Sequence, residues 1–220
     1  MKKLVYILIV GSLFVGCAPV FSDLQSAKLV GKGNYEITPH LSKIYYRGED
    51  ADNIDGSIQT HYGAQIAYGL TEKIDLRSRI EMISMSDEIT DGEDVKYRIF
   101  SLGSKYSIIL NRMSFYLPVS FIKSINCEDC EIFKTIEPTC LFSVQLNDYL
   151  DFNPSVKLIF PFLEEDADDS FYYAANLGFG INKFQNWIIR PEIGILSHSD
   201  SDGDGFYQHM SLGLSYRFGL

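Results

Sequence analysis

The chain has 220 residues, a formal net charge of −10 and four cysteines. That length favours a single domain. The acidic balance argues against nucleic-acid binding, which needs a basic surface, and four cysteines are too few for a disulfide framework. After residue 16 no apolar run is long enough for a transmembrane helix. Membrane β-strands are not excluded, because they alternate and give no such run.

The first residues are typical of a secretion signal. Two lysines precede an apolar run over 4–15, which ends before Gly16 and Cys17, and this order is the pattern of a signal peptide. The letters FVGC at the junction resemble a lipoprotein box, in which cleavage before the cysteine exposes a thiol for lipidation. The resemblance implies a signal peptide over 1–16, a lipid on Cys17 and a lipid-anchored tether over 17–32. The alternative is an ordinary signal beside an unlipidated cysteine.

Ten stretches of the remaining chain alternate apolar residues with polar or small ones. They lie at about 34–46, 57–70, 74–85, 96–109, 113–122, 132–146, 150–162, 171–181, 187–196 and 206–220. A period of two predicts β-strands with one apolar face and one polar face. Each stretch is also longer than the roughly five or six residues of an average soluble strand.

The last stretch shows the pattern most clearly. Its even-numbered residues are Met210, Leu212, Leu214, Tyr216, Phe218 and Leu220, and between them stand Ser211, Gly213, Ser215, Arg217 and Gly219. The stretch resembles the closing strand of bacterial outer-membrane β-barrels, although it ends on leucine rather than on an aromatic residue. The resemblance covers 33–220 and implies an all-β, antiparallel up-and-down transmembrane β-barrel of about ten strands. It also implies the outer membrane as location, with its lipid and the barrel-assembly machinery as partners.

The connections between the stretches alternate in length. Short turns fall near 71–73, 110–112, 147–149 and 182–186, and longer loops near 47–56, 86–94, 123–131, 163–170 and 197–205. Outer-membrane barrels place short turns on the periplasmic side and longer loops outside. With an even number of strands, both termini are expected on the periplasmic side.

Alternation alone does not say which face is outside. A soluble lipid-binding barrel of lipocalin type has its apolar face inside. The membrane interpretation is favoured because the polar face is rich in small residues, because aromatic residues gather near strand ends as in interfacial girdles, and because the polar face carries both signs of charge. The predicted lumen charge network is Asp75, Arg77, Arg79, Glu81, Arg190, Glu192 and Arg217. We expect such charges to pair, for example Arg77 with Asp75 or Glu81.

The longer loops hold most of the acidic residues, 20 of the 29 in the chain. One interpretation is a hydrated, repulsive surface. Another is calcium binding, since carboxylate oxygens suit hard cations. Asp200, Asp202 and Asp204 match the first half of a calcium-loop pattern, but the bidentate glutamate expected at its end is replaced by Ser211. Asp-Gly sequences are also common in turns.

Cysteines and histidines give weaker signals. Cys127 and Cys130 predict a small disulfide in the third long loop, with metal binding as the alternative, and Cys140 is expected to be an inert residue of the apolar face. His40, His61 and His209 fall on the predicted lumen face. They are either ordinary polar lumen residues or a metal or proton site.

The functional prediction is a non-enzymatic barrel, closed or plugged, with a structural or surface-interaction role and acidic outer loops. The first alternative is a narrow porin-like channel, because the lumen of ten strands is small. The second is a hydrolase at the outer rim: ten strands resemble the omptin proteases, and His198 lies two residues before Asp200. A His-x-Asp spacing is commonplace, however, and no other omptin pair can be placed on the loops.

Overall fold

The computed structural model describes residues 22–48, 57–86, 90, 95–126, 130–162, 171–199 and 205–219. Within these ranges the chain is all β. Its segments are β1 (Asn34–Gly48), β2 (Gln59–Gly69), β3 (Ile74–Met85), β4 (Lys96–Ile109), β5 (Met113–Ser124), β6 (Phe133–Ile136), β7 (Thr139–Phe142), β8 (Val144–Asn147), β9 (Leu150–Phe162), β10 (Tyr172–Phe184), β11 (Trp187–His198) and β12 (Gly205–Gly219). Segments β6, β7 and β8 occupy one position in the ring, so the barrel has ten strands.

Every strand pairs antiparallel with its neighbours in the chain, and the last strand pairs with the first. The closing ladder of β1 and β12 runs from Asn34 opposite Gly219 to Gly48 opposite Gly205. Closure removes both sheet edges, which would otherwise expose unpaired backbone groups. The predicted all-β, antiparallel ten-strand barrel is therefore confirmed.

The sequence predicted the sixth strand as one continuous stretch, but the structure divides it into three segments. It is interrupted after Ile136 and again at Ser143. Pro138 accounts for the first break, because proline has no N–H to donate to the ladder, although its carbonyl still accepts from the N–H of Leu158 at 3.0 Å. At the second break the N–H of Ser143 donates to the carbonyl of Arg112 at 2.9 Å. Segments β6, β7 and β8 all pair with β9, so the ring stays closed.

The apolar face of the strands points outward. On the last strand Met210, Leu212 and Leu214 are exposed, whereas the alternating residues Ser211 and Ser215 are buried in the lumen. The other strands repeat this arrangement. The soluble, lipocalin-type alternative required the opposite orientation, so the structure contradicts it.

Aromatic side chains form a continuous row outside the barrel near the short turns. Ring centroids of neighbouring residues lie 4.7 to 5.9 Å apart in this row, which runs Tyr68, Tyr35, Phe218, Tyr216, Trp187. Phe179 and Phe152 form a further pair at 5.3 Å on the next two strands. Aromatic rings at one level of a barrel are typical of a membrane–water interface.

Two ends of the barrel are distinguished by their connections. We call the end with the turns 70–73, 110–112, 148–149 and 185–186 the short-turn end, and the opposite end the long-loop end. Towards the long-loop end the lumen wall is apolar, with one cluster around Ile44 and Leu196 and another around Ile83 and Ile99. Towards the short-turn end the lumen wall is polar and charged. Among the described residues, no helix has the length and hydropathy to cross a membrane.

Candidate functional site

The lumen is occupied by the chain itself. Residues 22–30, which we call the luminal segment, lie inside the barrel, and Leu24 and Ala27 are 2% and 0% exposed. The sequence predicted a tether over 17–32. The described part of that range, 22–32, is instead packed within the barrel or against its rim. Hydrogen bonds reach it from β2, β3, β4, β5, β9, β10 and β11 and from Ser143.

The side chain of Glu192 binds backbone N–H groups of the luminal segment. The N–H groups of Asp23 and Leu24 donate to the two oxygens of the Glu192 carboxylate at 2.7 and 2.8 Å. Leu24 has a φ of 50°, in the left-handed region. A left-handed residue turns successive N–H groups toward one side and forms an anion-binding concavity, called a nest. The backbone of the segment is thus shaped around one carboxylate of the wall.

Asp23 makes the reciprocal contact, from the segment to the wall. Its carboxylate lies 2.9 Å from the Lys157 ammonium and accepts hydrogen bonds from Ser155 and, at 2.9 Å, from Asn176. The backbone carbonyl of Asp23 accepts from Gln65 at 3.0 Å. These partners stand on both sides of the ring, so Asp23 bridges the lumen.

The C-terminal part of the luminal segment, from Ser26 on, is held by basic side chains and hydroxyl groups. Lys105 donates to the carbonyl oxygens of Ser26 and Lys28 at 3.1 and 2.9 Å. Lys28 itself donates to both oxygens of Asp151 at 2.8 Å. Ala27 packs in an apolar cluster with Tyr116 and Leu141, its N–H donates to Ser143 at 2.9 Å, and its carbonyl accepts from Ser114 at 2.6 Å.

The residues of the predicted lumen charge network all lie in the lumen, but their partners differ from those expected. Arg77 pairs with Glu36 on β1 at 3.0 Å rather than with Asp75 or Glu81. β1 lies two strands away from β3 in the ring, so Arg77 reaches past β2 instead of along its own strand. Arg77 also donates to Gln25 of the luminal segment.

Glu36 is the centre of one cluster. Besides Arg77, it accepts from Arg190 at 3.0 Å and from Arg217 at 2.7 Å. A cavity of about 90 Å³ opens beside this cluster near the short-turn end. Its polar lining includes Ser26, Lys28, Asp151, Asn182, Arg190 and Arg217.

Glu81 is the centre of a second cluster, which includes two of the three lumen histidines. Its carboxylate contacts Arg79. The Nε2 atom of His40 and the Nδ1 atom of His61 each lie 3.1 Å from a carboxylate oxygen of Glu81. Arg79 also donates to the backbone carbonyl of Ser22 at 2.7 Å. The third histidine, His209, contacts Ser211 at 2.6 Å and Asn176 at 3.0 Å.

Metal binding has no support in this region. Across the part of the chain that the structure describes, no group of three or more His, Cys, Asp or Glu side chains is placed to hold a metal ion. The guanidinium of Arg79 lies 3.4 Å from the Nε2 atom of His40, and a cation there would repel a metal ion. The histidines act as hydrogen-bonding residues of the lumen.

The charges in the described part of the lumen balance. The basic residues are Lys28, Arg77, Arg79, Lys105, Lys157, Arg190 and Arg217, and the acidic ones are Asp23, Glu36, Asp75, Glu81, Glu137, Asp151 and Glu192. Buried charges are tolerated only when they are paired. The luminal segment supplies one charge of each sign, and both of them meet an opposite charge of the wall.

Sequence reasoning missed half of this network. Glu36, Lys105, Glu137, Asp151 and Lys157 were left out of the predicted network, although alternation puts them on the same polar face of their strands as the predicted residues. Asp23 and Lys28 gave no such signal, because the luminal segment does not alternate. Their wall partners lie 123 to 153 positions further along the chain.

Several predicted site residues lie outside the described residues: Cys17, Cys127, Asp200, Asp202 and Asp204. The lipid anchor, the small disulfide and the calcium site remain predictions. Cys130 is disulfide-bonded, and Cys140 is a half-buried free thiol. At the long-loop end, the His198 ring packs edge-on against Tyr172 with centroids 4.7 Å apart, a contact that gives a hydrolase no support.

Comparisons place the chain beside barrels of bacterial outer membranes, at low similarity. No family model matches the sequence, and no curated protein does. Among solved structures, the translocator domain of autotransporter NalP from Neisseria meningitidis is similar at 10% identity and a TM-score of 0.48, over 86% of this chain and 89% of that one. The outer membrane protease OmpT from Escherichia coli follows at 11% identity and 0.44, over 84% and 96%. Ail, the attachment invasion locus protein of Yersinia pestis, has 12% identity and 0.36, over 85% and 99%.

Proposed function

We propose that this chain is a non-enzymatic barrel of the bacterial outer membrane, closed by its own luminal segment, with a structural or surface-interaction role. The location is supported by the apolar exterior and by the aromatic row near the short turns. The observation that carries the closed state is the luminal segment, which is buried and bonded to strands around the ring.

Closure is supported at two levels of the lumen. Near the short-turn end and at mid-height, the luminal segment and its ion pairs fill the space. Towards the long-loop end, the wall presents Ile44, Ile83, Ile99, Ile159 and Leu196, each at most 1% exposed. A narrow apolar constriction excludes ions because water does not wet it. An open porin would need both levels to rearrange.

A channel that opens on release of the segment is the second candidate. The segment is held largely by hydrogen bonds and ion pairs, which water can replace. The wall that it would leave behind carries charged side chains on most of its strands. A pore lined by these charges would conduct ions once the segment moved out.

Conductance in a planar bilayer tests the closed state. We expect the folded wild-type barrel to be silent. A variant in which residues 22–30 are replaced by a Gly-Ser linker of the same length should show discrete current steps, or at least brief ones if the apolar level still obstructs the pore. Folding of each protein is checked by heat-dependent gel mobility, and Glu72→Gln in an exposed turn serves as the control variant.

Each outcome has a meaning. Reproducible large steps from the wild-type protein would overturn the closed state and favour the porin-like alternative. A silent wild type with a conducting linker variant would support closure by the segment. If the linker variant does not fold, Asp23→Ala replaces it, since that change removes only the contacts to Lys157, Ser155 and Asn176.

A further inference from the structure

The charges of the lumen balance as a whole, but positive charge is in excess around Glu36. Three guanidinium groups, those of Arg77, Arg190 and Arg217, converge on its single carboxylate at 2.7 to 3.0 Å. One carboxylate neutralises one of them, so two positive charges remain in excess. Like charges this close repel one another, and buried charges are tolerated when opposite charges pair with them. The cluster therefore favours a further anion beside Glu36.

The guanidinium groups also have hydrogen-bond donors to spare. Arg190 uses Nε for Ser215 at 2.7 Å and Nη2 for Glu36 at 3.0 Å, and Arg217 uses Nε for Glu36 at 2.7 Å. Among the described residues, the Nη1 atom of Arg190 and both Nη atoms of Arg217 have no hydrogen-bond partner. A guanidinium presents its N–H groups as a planar fork that matches the oxygens of carboxylate and phosphate.

The cavity of about 90 Å³ near the short-turn end lies between the luminal segment and the wall. It is lined by Ser26 and Lys28 of the segment and by Asp151, Gly180, Asn182, Ile188, Arg190 and Arg217 of β9 to β12. Since about 10–15 Å³ is enough for one water molecule, the cavity has room for a small oxyanion. The side chains of Arg217 and Lys28 are 30% and 25% exposed, so solvent reaches the cavity from the short-turn end.

A buried amide beside the cavity is an independent sign of a ligand. Asn153 is 3% exposed, and its Nδ2 atom has no hydrogen-bond partner in the described part of the barrel, whereas its Oδ1 atom accepts from Ser143 at 2.6 Å. A Cβ placed on Gly180 would lie 3.2 Å from this Nδ2 atom and 3.7 Å from side-chain atoms of Asp151 and Ile188. The amide donor thus borders the space that Gly180 leaves open. A buried donor without an acceptor is unfavourable, so an acceptor in the cavity would stabilise it.

We propose that this cavity binds one small oxyanion of the phosphate class, either inorganic phosphate or the phosphate group of a small monoester. A phosphate group carries up to two negative charges near neutral pH, which matches the excess around Glu36. Its oxygens accept from the guanidinium groups of Arg190 and Arg217 and from the amide of Asn153. Lys28 adds a positive charge from the luminal segment. A lipid headgroup does not fit this role, because the strands separate the lumen from the surrounding bilayer.

Such a site goes beyond closure of the barrel, because it makes closure depend on a ligand. The oxyanion contacts Lys28 of the luminal segment and the arginines of β11 and β12 at the same time. It therefore binds the barrel with the segment in place more tightly than the barrel with the segment released. By mass action, a ligand that prefers one state stabilises that state.

Isothermal titration calorimetry with inorganic phosphate tests the site. The folded full chain is kept in a detergent whose headgroup contains no phosphate, at constant ionic strength set with sodium chloride, so any binding is to the free oxyanion. Arg217→Gln removes a charge and donors from the cavity. Lys73→Gln removes the same charge from an exposed short turn at the same end of the barrel and is the matched control. Heat-dependent gel mobility shows that each protein is folded.

We expect the wild-type protein to bind phosphate saturably, at one ion per barrel. Arg217→Gln should bind more than about 10-fold more weakly, because it loses charge-assisted hydrogen bonds, and Lys73→Gln should stay within about twofold of wild type. A wild-type protein without saturable binding would overturn the site. Equal affinities of all three proteins, or equal weakening by the two changes, would show attraction to the net charge alone and would overturn it as well.

Asn153→Asp keeps the site testable if Arg217→Gln does not fold. The change preserves the shape of the side chain and the acceptor for Ser143, but it replaces the amide donor by a carboxylate oxygen, which repels phosphate. We expect phosphate to raise the temperature of the gel-mobility transition of the wild-type protein and to leave that of Asn153→Asp unchanged. The same rise in both proteins would mean that phosphate does not bind in this cavity.

Discussion

The backbone of Leu24 has a φ of 50°, which a bulky residue rarely adopts. Such a conformation costs on the order of 1–3 kcal/mol and persists only where the surroundings enforce it. Here the enforcing group is Glu192, because the conformation lets two successive N–H groups meet one carboxylate. The local strain is offset by two charge-assisted hydrogen bonds.

Glu192→Gln tests that contact. An amide oxygen can replace one carboxylate oxygen, but the amide nitrogen would face a backbone N–H, so one buried donor loses its partner. We expect the bound state of the segment to weaken by about 2 kcal/mol, which is roughly a 30-fold rise in the fraction of released segments. Brief current openings in a planar bilayer would report the release, with Glu72→Gln as control. A folded Glu192→Gln protein as silent as wild type would contradict the role of the carboxylate.

Gly69 and Gly31 allow the segment to turn into β1. The N–H of Gly33 donates to the Gly69 carbonyl at 2.8 Å, and a Cβ on Gly69 would overlap the carbonyl of Gly31. Gly31 has a φ of 88°, which suits glycine because it lacks a side chain. The two backbones can approach this closely only without a Cβ between them.

Gly69→Ala should therefore displace the start of β1 and loosen the segment. A lower temperature for the heat-dependent change in gel mobility is the expected result. The matched control is Gly180→Ala, where the nearest atom to a new Cβ is the Asn153 amide nitrogen at 3.2 Å, the end of a side chain that can move. If both variants lowered the transition temperature by the same amount, any glycine of the wall would be equally sensitive to an added Cβ, and the contact between Gly69 and Gly31 would have no special role.

At the scale of elements, alternation predicted the strands well because each one separates an apolar exterior from a polar lumen. The expected bounds 74–85, 96–109 and 150–162 agree with the structure at both ends. The break in the sixth strand was missed, although Pro138 indicates it. The luminal segment was missed for a different reason. Its contacts are with distant strands, and its own sequence has no period that would report them.

The outward face of β12 gives a test at this scale. Leu212 is 56% exposed on the exterior, near the middle of the strand. Arginine at the middle of a bilayer costs about 2–4 kcal/mol on the lipid face of such barrels. We expect Leu212→Arg to fold into lipid vesicles to a smaller extent than wild type in a urea titration followed by gel mobility.

Tyr149→Arg is the control for that titration, since Tyr149 is exposed in a short turn rather than along a strand. Tyr149→Arg should lower the free energy of unfolding only slightly, because a turn lies near the polar interface. Equal stability of Leu212→Arg and wild type would show that the exterior of β12 does not contact lipid, and would count against the proposed membrane location.

For the whole molecule, the decisive property is the charge balance of the lumen. Seven basic and seven acidic residues lie there, Glu192 being bound by two backbone N–H groups and the others by opposite charges. The luminal segment contributes one charge of each sign through Lys28 and Asp23. The sequence predicted a network of both signs but not its closure by the segment. Without the segment, six charges of each sign remain on the wall, and Asp151 and Lys157 each lose a close partner.

This balance predicts the ion selectivity of the barrel once the segment is replaced by the Gly-Ser linker. With equal numbers of both signs, we expect similar permeability for potassium and chloride. Adding Arg190→Gln and Arg217→Gln removes two positive charges and leaves Glu36 with Arg77 as its remaining ion-pair partner among the described residues. Because rings of charged side chains set the selectivity of a narrow pore, the reversal potential in a potassium chloride gradient should shift toward the value for a cation-selective pore.

The control is Arg98→Gln. Arg98 lies on the exterior, so its replacement removes a charge that does not face the lumen and should cause no shift of the reversal potential. A variant with both lumen arginines replaced that stays unselective would mean that ions do not pass the Glu36 cluster.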